Sequence, residues 1–456
     1  MDHIEFTVSG RIFCYDPESS ALYIFADTPN GQTETQQLHI SNKLDSSISR
    51  LTPFVPFHSR KRGYQPFTLT LNLTERCNMR CTYCVFDHDR YTHFRSHSCI
   101  TAHYEHCISV VDRVFSYLPR EMKKRIKFFG GEPLMEFNLL KKVVLYLEDR
   151  YSNHPKGYSI STNGTLLTLD ILSFLNAHDF RIYVSLDAPR FLHDSRRMTP
   201  SKGMTYDLIN SNLVFYKQHF PQSYAHNLTF CATYMSKDEV YMGLTEFDNL
   251  GRFKTDYSAV LGDLSKRPTE VRRLCYRDEF LNSKFMTAFA VGDYNRMWLY
   301  GNYFLTFCIR IDNRIIFPRG YDPEFKFSHF CAPFCNNLIV QANGEYSFCQ
   351  FLDHVRFSNV KIGEFFWENK IIQGYTSALD QYRENECKYC FAKRICSLCW
   401  AHYFTSDGSL SDDRLRNNCS EERLKIKELL SIYLLLKLKD PNIFHDLKKH
   451  PPVNLI

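Results

Sequence analysis

Between residues 67 and 261, short apolar stretches alternate with longer amphipathic stretches. The short stretches are rich in β-branched and aromatic residues and predict strands at 67–73, 125–129, 158–162, 181–187, 227–234 and 256–261. The longer stretches carry apolar residues at helical spacing and predict helices near 101–118, 138–150, 168–177, 204–219 and 237–249. Strand–helix alternation is typical of a parallel sheet covered by helices, so we predict an α/β fold with six such units, as in a partial barrel.

The two ends of the chain follow other patterns. Alternating apolar residues at 4–8 and 22–24, on either side of the turn-forming pair at 16–17, predict a β-hairpin. Residues 420–439 predict an amphipathic helix with Ser420 as its N-cap, and we expect its Leu/Ile face to pack on the barrel. The aromatic segment 262–325 has no clear period and is interpreted as a bridge.

Composition and charge narrow the function classes. A chain of 456 residues predicts two to three domains at ~150 residues each, and 44% apolar residues allow a substantial core. A net charge of +6 without a long Lys/Arg block argues against nucleic acid as a partner. The apolar stretch 432–436 is far shorter than the ~20 residues of a membrane helix. The N-terminus lacks the pattern of a signal peptide, so we expect a cytoplasmic protein without a membrane partner.

Three cysteines follow the first predicted barrel strand. Cys77, Cys81 and Cys84 have the spacing C-x3-C-x2-C. Thiolates are soft ligands that suit iron–sulfur clusters, and three of them can ligate three irons of a [4Fe–4S] cube. The fourth iron is then open to a small molecule, which is the requirement for a catalytic cluster. A zinc site or unrelated thiols are the alternatives.

Three more polar motifs follow predicted strands. They are Gly-Gly-Glu-Pro at 130–133, Ser-Thr-Asn-Gly at 161–164 and Ser-Leu-Asp at 185–187, and the last is followed by His-Asp at 193–194 and by Arg197. Glycines let a backbone approach a ligand closely, and proline stiffens the exit. Barrel enzymes collect their active-site groups at the ends of strands, so these motifs predict one site together with the three cysteines.

Together, the cysteine triplet and these motifs resemble the signature of the radical S-adenosylmethionine (radical SAM) enzymes, and the last matches their peptide-modifying branch except that Ala188 replaces a glycine. The resemblance implies a partial (β/α)6 TIM-like barrel. It implies that the Cys77/Cys81/Cys84 cluster reduces S-adenosylmethionine, and that the resulting 5′-deoxyadenosyl radical abstracts a substrate hydrogen. Glu132 and the glycine backbone would hold the methionyl amino group, and Tyr83 would lie near the adenine. The full set of implied cofactor contacts is Tyr83, Gly130, Gly131, Glu132, Ser161, Asn163, Ser185, Asp187 and Arg197.

A second cysteine group occupies the last third of the chain. Its spacing is C-x3-C-x8-G-x4-C, then C-x2-C-x5-C-x2-C, then one more Cys, and Gly344 stands in a hairpin signal. This resembles the SPASM extension, which holds two further [4Fe–4S] clusters, although two gaps differ from those of some members. The implied ligands are Cys331, Cys335, Cys349 and Cys399 for one cluster and Cys387, Cys390, Cys396 and Cys419 for the other. Two tetrahedral zinc sites are the alternative for the same eight cysteines.

The predicted chain therefore has five parts: a hairpin region 1–65, a radical SAM partial barrel 66–261, a bridge 262–325, a cysteine-rich SPASM module 326–420, and a helix with tail 421–456. In peptide-modifying relatives the N-terminal region recognises a leader peptide, so 1–65 is either a shortened peptide-recognition element or a cap on the barrel floor.

The resemblance implies an enzyme with three [4Fe–4S] clusters and S-adenosylmethionine that cross-links a side chain of a ribosomally made precursor peptide. Its electron donor would be a flavodoxin or ferredoxin. The first alternative is a maturase that makes formylglycine in a sulfatase. Those enzymes carry an Asp after the cysteine matching Cys349, where this chain has Gln350. A non-enzymatic iron–sulfur or zinc scaffold is the alternative of another class. No residue is marked by spacing as the general base, and Asp353 is the one candidate.

Overall fold

The computed structural model describes residues 4–8, 11–16, 21–24, 49–50, 67–84, 97–259, 278–313, 337–347, 387, 390–396 and 411–454. The N-terminal part is an antiparallel sheet of four strands in the order β1-β2-β3-β4. These strands are β1 (Ile4–Val8), β2 (Arg11–Asp16), β3 (Ala21–Ile24) and β4 (Ser49–Arg50). The two predicted strands are present, but they do not pair with each other: β2, which the alternation did not indicate, lies between them and pairs with both.

The barrel sheet has eight strands, and seven of them run parallel in the described residues. In chain order they are β5 (Phe67–Thr74), β7 (Lys124–Gly130), β8 (Lys156–Thr162), β9 (Arg181–Ser185), β11 (Leu228–Tyr234), β12 (Thr255–Ala259), β13 (Asn337–Val340) and β14 (Tyr346–Ser347). Two short strands outside this sheet, β6 (Arg80–Cys81) and β10 (Arg197–Met198), pair with each other. The spatial order is β12-β11-β9-β8-β7-β5-β13-β14. The α/β prediction is confirmed, and the six predicted strands are all present.

Helices cover the outer face of this sheet and extend beyond it. They are α1 (Tyr104–Tyr117), α2 (Phe137–Arg150), α3 (Leu169–Ala177), α4 (Arg190–Arg196), α5 (Tyr206–His219), α6 (Pro221–Asn227), α7 (Lys237–Asn249), α8 (Glu279–Ala290), α9 (Tyr294–Asn313), α10 (Asp412–Lys439) and α11 (Ile443–Lys449). The five predicted barrel helices are α1, α2, α3, α5 and α7. The predicted bridge contains α8 and α9, which its aromatic composition did not reveal.

The C-terminal helix begins earlier than predicted. Ser420 is not its N-cap, because α10 starts at Asp412 and the Ser420 hydroxyl donates instead to the Arg416 carbonyl, 3.1 Å away within the helix. A serine four residues after a carbonyl can bond to it from a helix interior, so serine alone does not mark a helix start. Its apolar side is buried, including Leu430 and Leu434, but the elements it contacts are α9 and β1, which lie outside the predicted barrel 66–261.

The two faces of the barrel sheet differ in chemistry. Ile126, Phe128 and Phe230 are fully buried on the outer face, under the helices. Because side chains alternate along a strand, Lys127 and Cys231 lie on the inner face. These two groups affect each other's pKa, although β7 and β11 would be ~14 Å apart in a flat sheet. The sheet therefore curves around an interior, which we call the lumen.

The cysteine-rich C-terminal part enters the barrel sheet itself. Strand β13 pairs in parallel with β5, opposite Thr68 to Leu71, and β14 returns antiparallel. The turn between them contains Gly344 at a φ of 91°, which a glycine adopts without strain. The hairpin predicted at this glycine is present, but the sequence did not indicate that it extends the barrel. No helix in the described parts of the chain is long and apolar enough to span a lipid bilayer.

Candidate active site

The loop with the first three cysteines leaves the carboxyl end of β5. Cys77, Cys81 and Cys84 are all partly exposed. The Met79 amide donates to the Cys77 Sγ at 3.4 Å, and the Cys84 amide donates to the Cys81 carbonyl at 3.1 Å. The β6–β10 pairing holds Cys81 opposite Arg197. The loop is thus fixed by its own backbone and by the strand that follows α4.

The two glycines of the Gly-Gly-Glu-Pro motif contact this loop. A Cβ added at Gly130 would lie 2.3 Å from the Thr74 carbonyl oxygen, and one at Gly131 would lie 2.2 Å from the Arg76 carbonyl oxygen. The amide of Gly131 also donates to the Thr74 carbonyl at 2.8 Å. The sequence suggested that these glycines let a ligand approach the backbone closely. In the structure, the backbone of the segment that leads to the cysteines lies against them instead.

We predict that Gly131→Ala lowers both stability and iron content. The added methyl group would overlap the backbone of residues 75–76 and must displace it, at a cost of about 1–3 kcal/mol in unfolding free energy. The displaced loop carries the cysteines, so less iron should be retained after anaerobic reconstitution. Gly157→Ala on β8 is the matched control, because its Cβ would meet the Lys123 side chain at an ordinary 3.6 Å. Equal iron content in both variants would contradict the role of Gly131.

Glu132 is fully buried at the end of β7. One carboxylate oxygen accepts from the Leu134 amide at 3.0 Å and the Thr162 hydroxyl at 2.8 Å, and the other accepts from the Asn163 amide at 2.7 Å. Burial raises its pKa to about 7, and these hydrogen bonds act in the opposite direction. The structure gives this carboxylate no cationic partner among the described residues, so an ammonium group of a ligand would stabilise its charged form.

Asn163 links the end of β8 to the cysteine loop. Its Nδ2 donates to the Asn78 Oδ1 at 2.8 Å and lies 3.9 Å from the Cys77 Sγ. Asn78 in turn donates to the Thr165 hydroxyl at 2.8 Å. Ser161 lies two residues earlier on β8, partly exposed on the inner face. The Ser-Thr-Asn-Gly motif is thus adjacent to the cysteines, as predicted.

Tyr83, Asp187 and Arg197 form one buried group. The Tyr83 hydroxyl donates to Asp187 at 2.5 Å, and two nitrogens of Arg197 donate to the same carboxylate at 2.9 and 3.2 Å. The guanidinium also lies 5.2 Å from the centre of the Tyr83 ring, within the range of a cation–π contact. Although Asp187 is buried, Arg197 and these hydrogen bonds hold its pKa below the usual range. Ser185 is on the inner face two residues earlier, partly exposed.

A second layer of buried side chains supports this group. His193 Nδ1 accepts from the Asp187 amide at 3.3 Å, and its Nε2 lies 3.0 Å from the Thr205 hydroxyl. The Thr205 hydroxyl donates to the Arg197 carbonyl at 2.6 Å, so His193 must donate to it from Nε2 and is neutral. Burial lowers the pKa of His193 to about 4, in agreement with this state. The sequence pattern included His193 but gave no indication of Thr205, which lies on a different element.

Four cysteines of the second group are described. The Cys390 amide donates to the Cys387 carbonyl at 3.0 Å, and the Cys396 amide donates to the Ala392 carbonyl at 2.7 Å after a 3-10 turn at Phe391–Arg394. Cys419 lies on α10, and Cys390, Cys396 and Cys419 pack against the main core. The other predicted residues of this region lie outside the described residues: Cys331, Cys335, Cys349, Gln350, Asp353 and Cys399.

The described residues contain no group of three or more His, Cys, Asp or Glu side chains placed to hold one metal ion. A [4Fe–4S] cube binds its cysteines through separate irons, so its ligands need not meet at one point. Burial raises the pKa of Cys77 to about 12 and also raises that of Cys81. Binding to iron requires thiolates and would therefore release protons.

The arrangement fits a cluster with S-adenosylmethionine. Three partly exposed thiols share one loop, and the buried Glu132 carboxylate beside that loop lacks a cationic partner. Cys77, Cys81 and Cys84 would hold the cluster, and Glu132 would face the amino group of the cofactor.

The model of the Radical SAM superfamily matches residues 71–210, which contain the cysteine loop and the three polar motifs. Residues 71–210 are a radical SAM domain. This family implies S-adenosylmethionine and one [4Fe–4S] cluster as cofactors.

Three curated relatives each match about a third of this chain. An uncharacterized protein of Methanocaldococcus jannaschii is 29% identical over 153 residues, which are 34% of this chain and 50% of that protein. The radical SAM cyclopropyl synthase TigE of Paramaledivibacter caminithermalis is 29% identical over 176 residues, 36% of this chain and 34% of TigE. A cysteine-type anaerobic sulfatase-maturating enzyme of Clostridium novyi is 29% identical over 143 residues, 31% of this chain and 37% of that enzyme. The matches thus span about a third to a half of these relatives.

The fold is shared over a longer stretch. The solved structure of anSMEcpe with bound AdoMet and Cp18Cys peptide superposes with a TM-score of 0.59 at 18% identity, and the match covers 82% of this chain and 100% of that one. This likeness confirms the partial-barrel fold of the radical SAM domain and extends beyond residues 71–210.

Proposed function

We propose that this radical SAM enzyme modifies a ribosomally made peptide by joining a side chain to a second group through a C–C, thioether or ether bond. The observation that carries the proposal is the entry of β13 and β14 into the barrel sheet beside β5. This pairing joins the cysteine-rich segment directly to the strand that leads to Cys77. A second redox module attached there can accept electrons from a substrate in the lumen.

When bound, the cofactors supply a radical that removes a hydrogen atom from an unactivated carbon. The chain's own residues prepare the site. The Tyr83–Asp187–Arg197 group fixes the end of β9 against the cysteine loop, and Glu132 fixes the end of β7 against that of β8. These side chains are buried and hydrogen-bonded. The edge of the sheet formed by the carboxyl ends of β7, β8 and β9, which we call the rim, is therefore ordered before a substrate enters.

The cross-link removes two hydrogens from the peptide. One leaves as a hydrogen atom in 5′-deoxyadenosine, and the other leaves as a proton and an electron. We assign the electron to two additional clusters on the cysteines of the SPASM-like segment, four of which are Cys387, Cys390, Cys396 and Cys419. The direct test is mass spectrometry of a short peptide encoded beside this protein, incubated with reduced enzyme and a flavodoxin or ferredoxin. The product should be lighter by two hydrogens, and an unchanged peptide would contradict the proposal.

Replacing Cys390 with alanine should separate cofactor cleavage from product formation. We expect iron to fall from about twelve to about eight per chain, with 5′-deoxyadenosine still formed slowly and little or no modified peptide. Cys107→Ala is the matched control, because Cys107 is a buried thiol on α1. Circular dichroism must show that both variants fold. If the Cys390 variant loses about four irons and still gives wild-type amounts of product, the lost cluster is structural and its electron-acceptor role is wrong.

A second candidate is a maturase that oxidises a sulfatase cysteine to formylglycine. The sequence match to the sulfatase-maturating enzyme of Clostridium novyi favours it, and the fold match to anSMEcpe with its bound peptide is compatible with it. Gln350, in place of an aspartate, argues against it. Incubation with a sulfatase peptide that contains its target cysteine would decide, because formylglycine carries an aldehyde that a cross-link does not.

A further inference from the structure

One charged side chain in the lumen, that of Lys127, makes no contact with the described residues of the candidate active site. Lys127 is in the middle of β7, and its neighbours Ile126 and Phe128 are fully buried on the opposite face. Its ammonium lies 4.9 Å from the centre of the Phe129 ring. Within the described part of the chain no carboxylate lies within ion-pair distance of this ammonium, and the Cys231 thiol on β11 is close enough to affect its pKa.

Three other cations of the barrel have polar partners. Arg197 pairs with Asp187, and Arg196 pairs with Glu239. Lys124, at the start of the same strand, donates to the Pro119 carbonyl at 2.5 Å. Lys127 is partly buried, and this burial lowers its pKa because a charge without a counter-ion is unfavourable there. A ligand with a negative charge would supply that counter-ion.

Asn72 on the adjacent strand provides an independent observation. Its side chain is 2% exposed, and its Nδ2 donates to the Gln341 Oε1 on the far side of β5 at 2.5 Å. Its Oδ1 is buried without a hydrogen-bond partner in the described residues, and an unmet buried acceptor destabilises a fold until a donor reaches it. Leu71 and Leu73 are buried on the outer face, so Asn72 faces the lumen.

These two groups lie close together. Strands β5 and β7 pair with Thr70 opposite Lys127 and Asn72 opposite Phe129. The Cα atoms of Asn72 and Lys127 are therefore ~8 Å apart, from the strand spacing and the rise per residue. One group accepts a hydrogen bond from an N–H, and the other carries a positive charge. Asp256 on β12 pairs in register with Cys231 and also faces the lumen. Its carboxylate would repel an anion bound at the β11–β12 side of the lumen.

We propose that Lys127 and Asn72 form a substrate subsite for a peptide residue that carries a carboxylate. The carboxylate binds the Lys127 ammonium, and an N–H of the same residue donates to the Asn72 Oδ1. This inference rests on the proposed function, because it takes the occupant of the lumen to be a peptide.

The test uses the reconstituted enzyme with S-adenosylmethionine and two small probes. They are N-acetyl-aspartate methylamide and N-acetyl-asparagine methylamide, which differ in one charge. Binding is measured by calorimetry or by saturation-transfer NMR. We expect the acid to bind at least tenfold more tightly than the amide. Lys127→Met should abolish this difference, Asn72→Leu should weaken both probes, and Lys142→Met, at an exposed position on α2, should change neither.

Equal affinity of the two probes for the wild type, or an unchanged preference in the Lys127 variant, would overturn the inference. If Asn72→Leu binds both probes as tightly as the wild type does, Asn72 does not accept a hydrogen bond from the bound residue. Lys127→Gln serves as a second variant if the methionine variant does not fold, as judged by iron content and circular dichroism. These measurements need no turnover. If the probes do not bind as expected, the subsite is wrong, but the proposal that the enzyme cross-links peptides is not affected. Likewise, a failure to modify peptides leaves the binding result intact.

Discussion

Simultaneous replacement of Cys77, Cys81 and Cys84 by alanine is expected to remove about four irons per chain and to abolish cleavage of S-adenosylmethionine. The three thiols are the cysteines of residues 75–84, and the Asn163 amide contacts one of them. Without them, the loop beside Glu132 could not hold the cluster that would supply the electron for this cleavage. Iron analysis and chromatography of 5′-deoxyadenosine would measure the two effects.

Cys99→Ala is the control for this experiment. Cys99 is exposed and lies next to Ile100, whose carbonyl accepts from the Glu75 amide at the start of the same loop. It therefore shares the neighbourhood of the cluster without belonging to the triplet, and we expect full iron content and full activity. If the triple variant retained cofactor cleavage, the assignment of the cluster to this loop would be wrong.

Replacement of Arg197 by methionine is expected to lower the unfolding free energy by about 3–5 kcal/mol, because it leaves the buried Asp187 carboxylate without its counter-ion. Arg197 is 6% exposed, and Asp187 is completely buried. The same change should weaken S-adenosylmethionine binding by about 10- to 100-fold, the cost of roughly 1.5–3 kcal/mol for a charged hydrogen bond. Urea unfolding under anaerobic conditions and equilibrium binding would measure the two effects separately.

The double variant Asp187→Asn with Arg197→Met should recover part of the stability, since no charge is then left unpaired. Arg190→Met is the matched control. Its side chain is 56% exposed in its ion pairs with Asp194 and Asp207, so its loss should cost no more than about 1 kcal/mol. Equal losses for Arg190 and Arg197 would show that the buried group does not stabilise the rim.

The positions of the site residues could be predicted because each follows an apolar strand. The ends of parallel strands meet at one edge of a sheet, so Asn163, Asp187 and the cysteine loop were expected together. Their partners could not be predicted in the same way. The contact of Gly131 with the Arg76 carbonyl, and that of Arg197 with Asp187, depend on how loops fold over the sheet edge.

The sequence by itself determined the α/β architecture, the order of the barrel strands along the chain and the placement of the cysteine triplet after β5. These features depend on local periodicity and spacing, which a single chain displays directly. The tertiary structure decided that β13 joins the barrel beside β5, that Thr205 and His193 support Arg197, and that Lys127 has no counter-ion in the described lumen. Pairing across the sheet brings together residues as distant in sequence as Asn72 and Gln341, and no local pattern records which strands become neighbours.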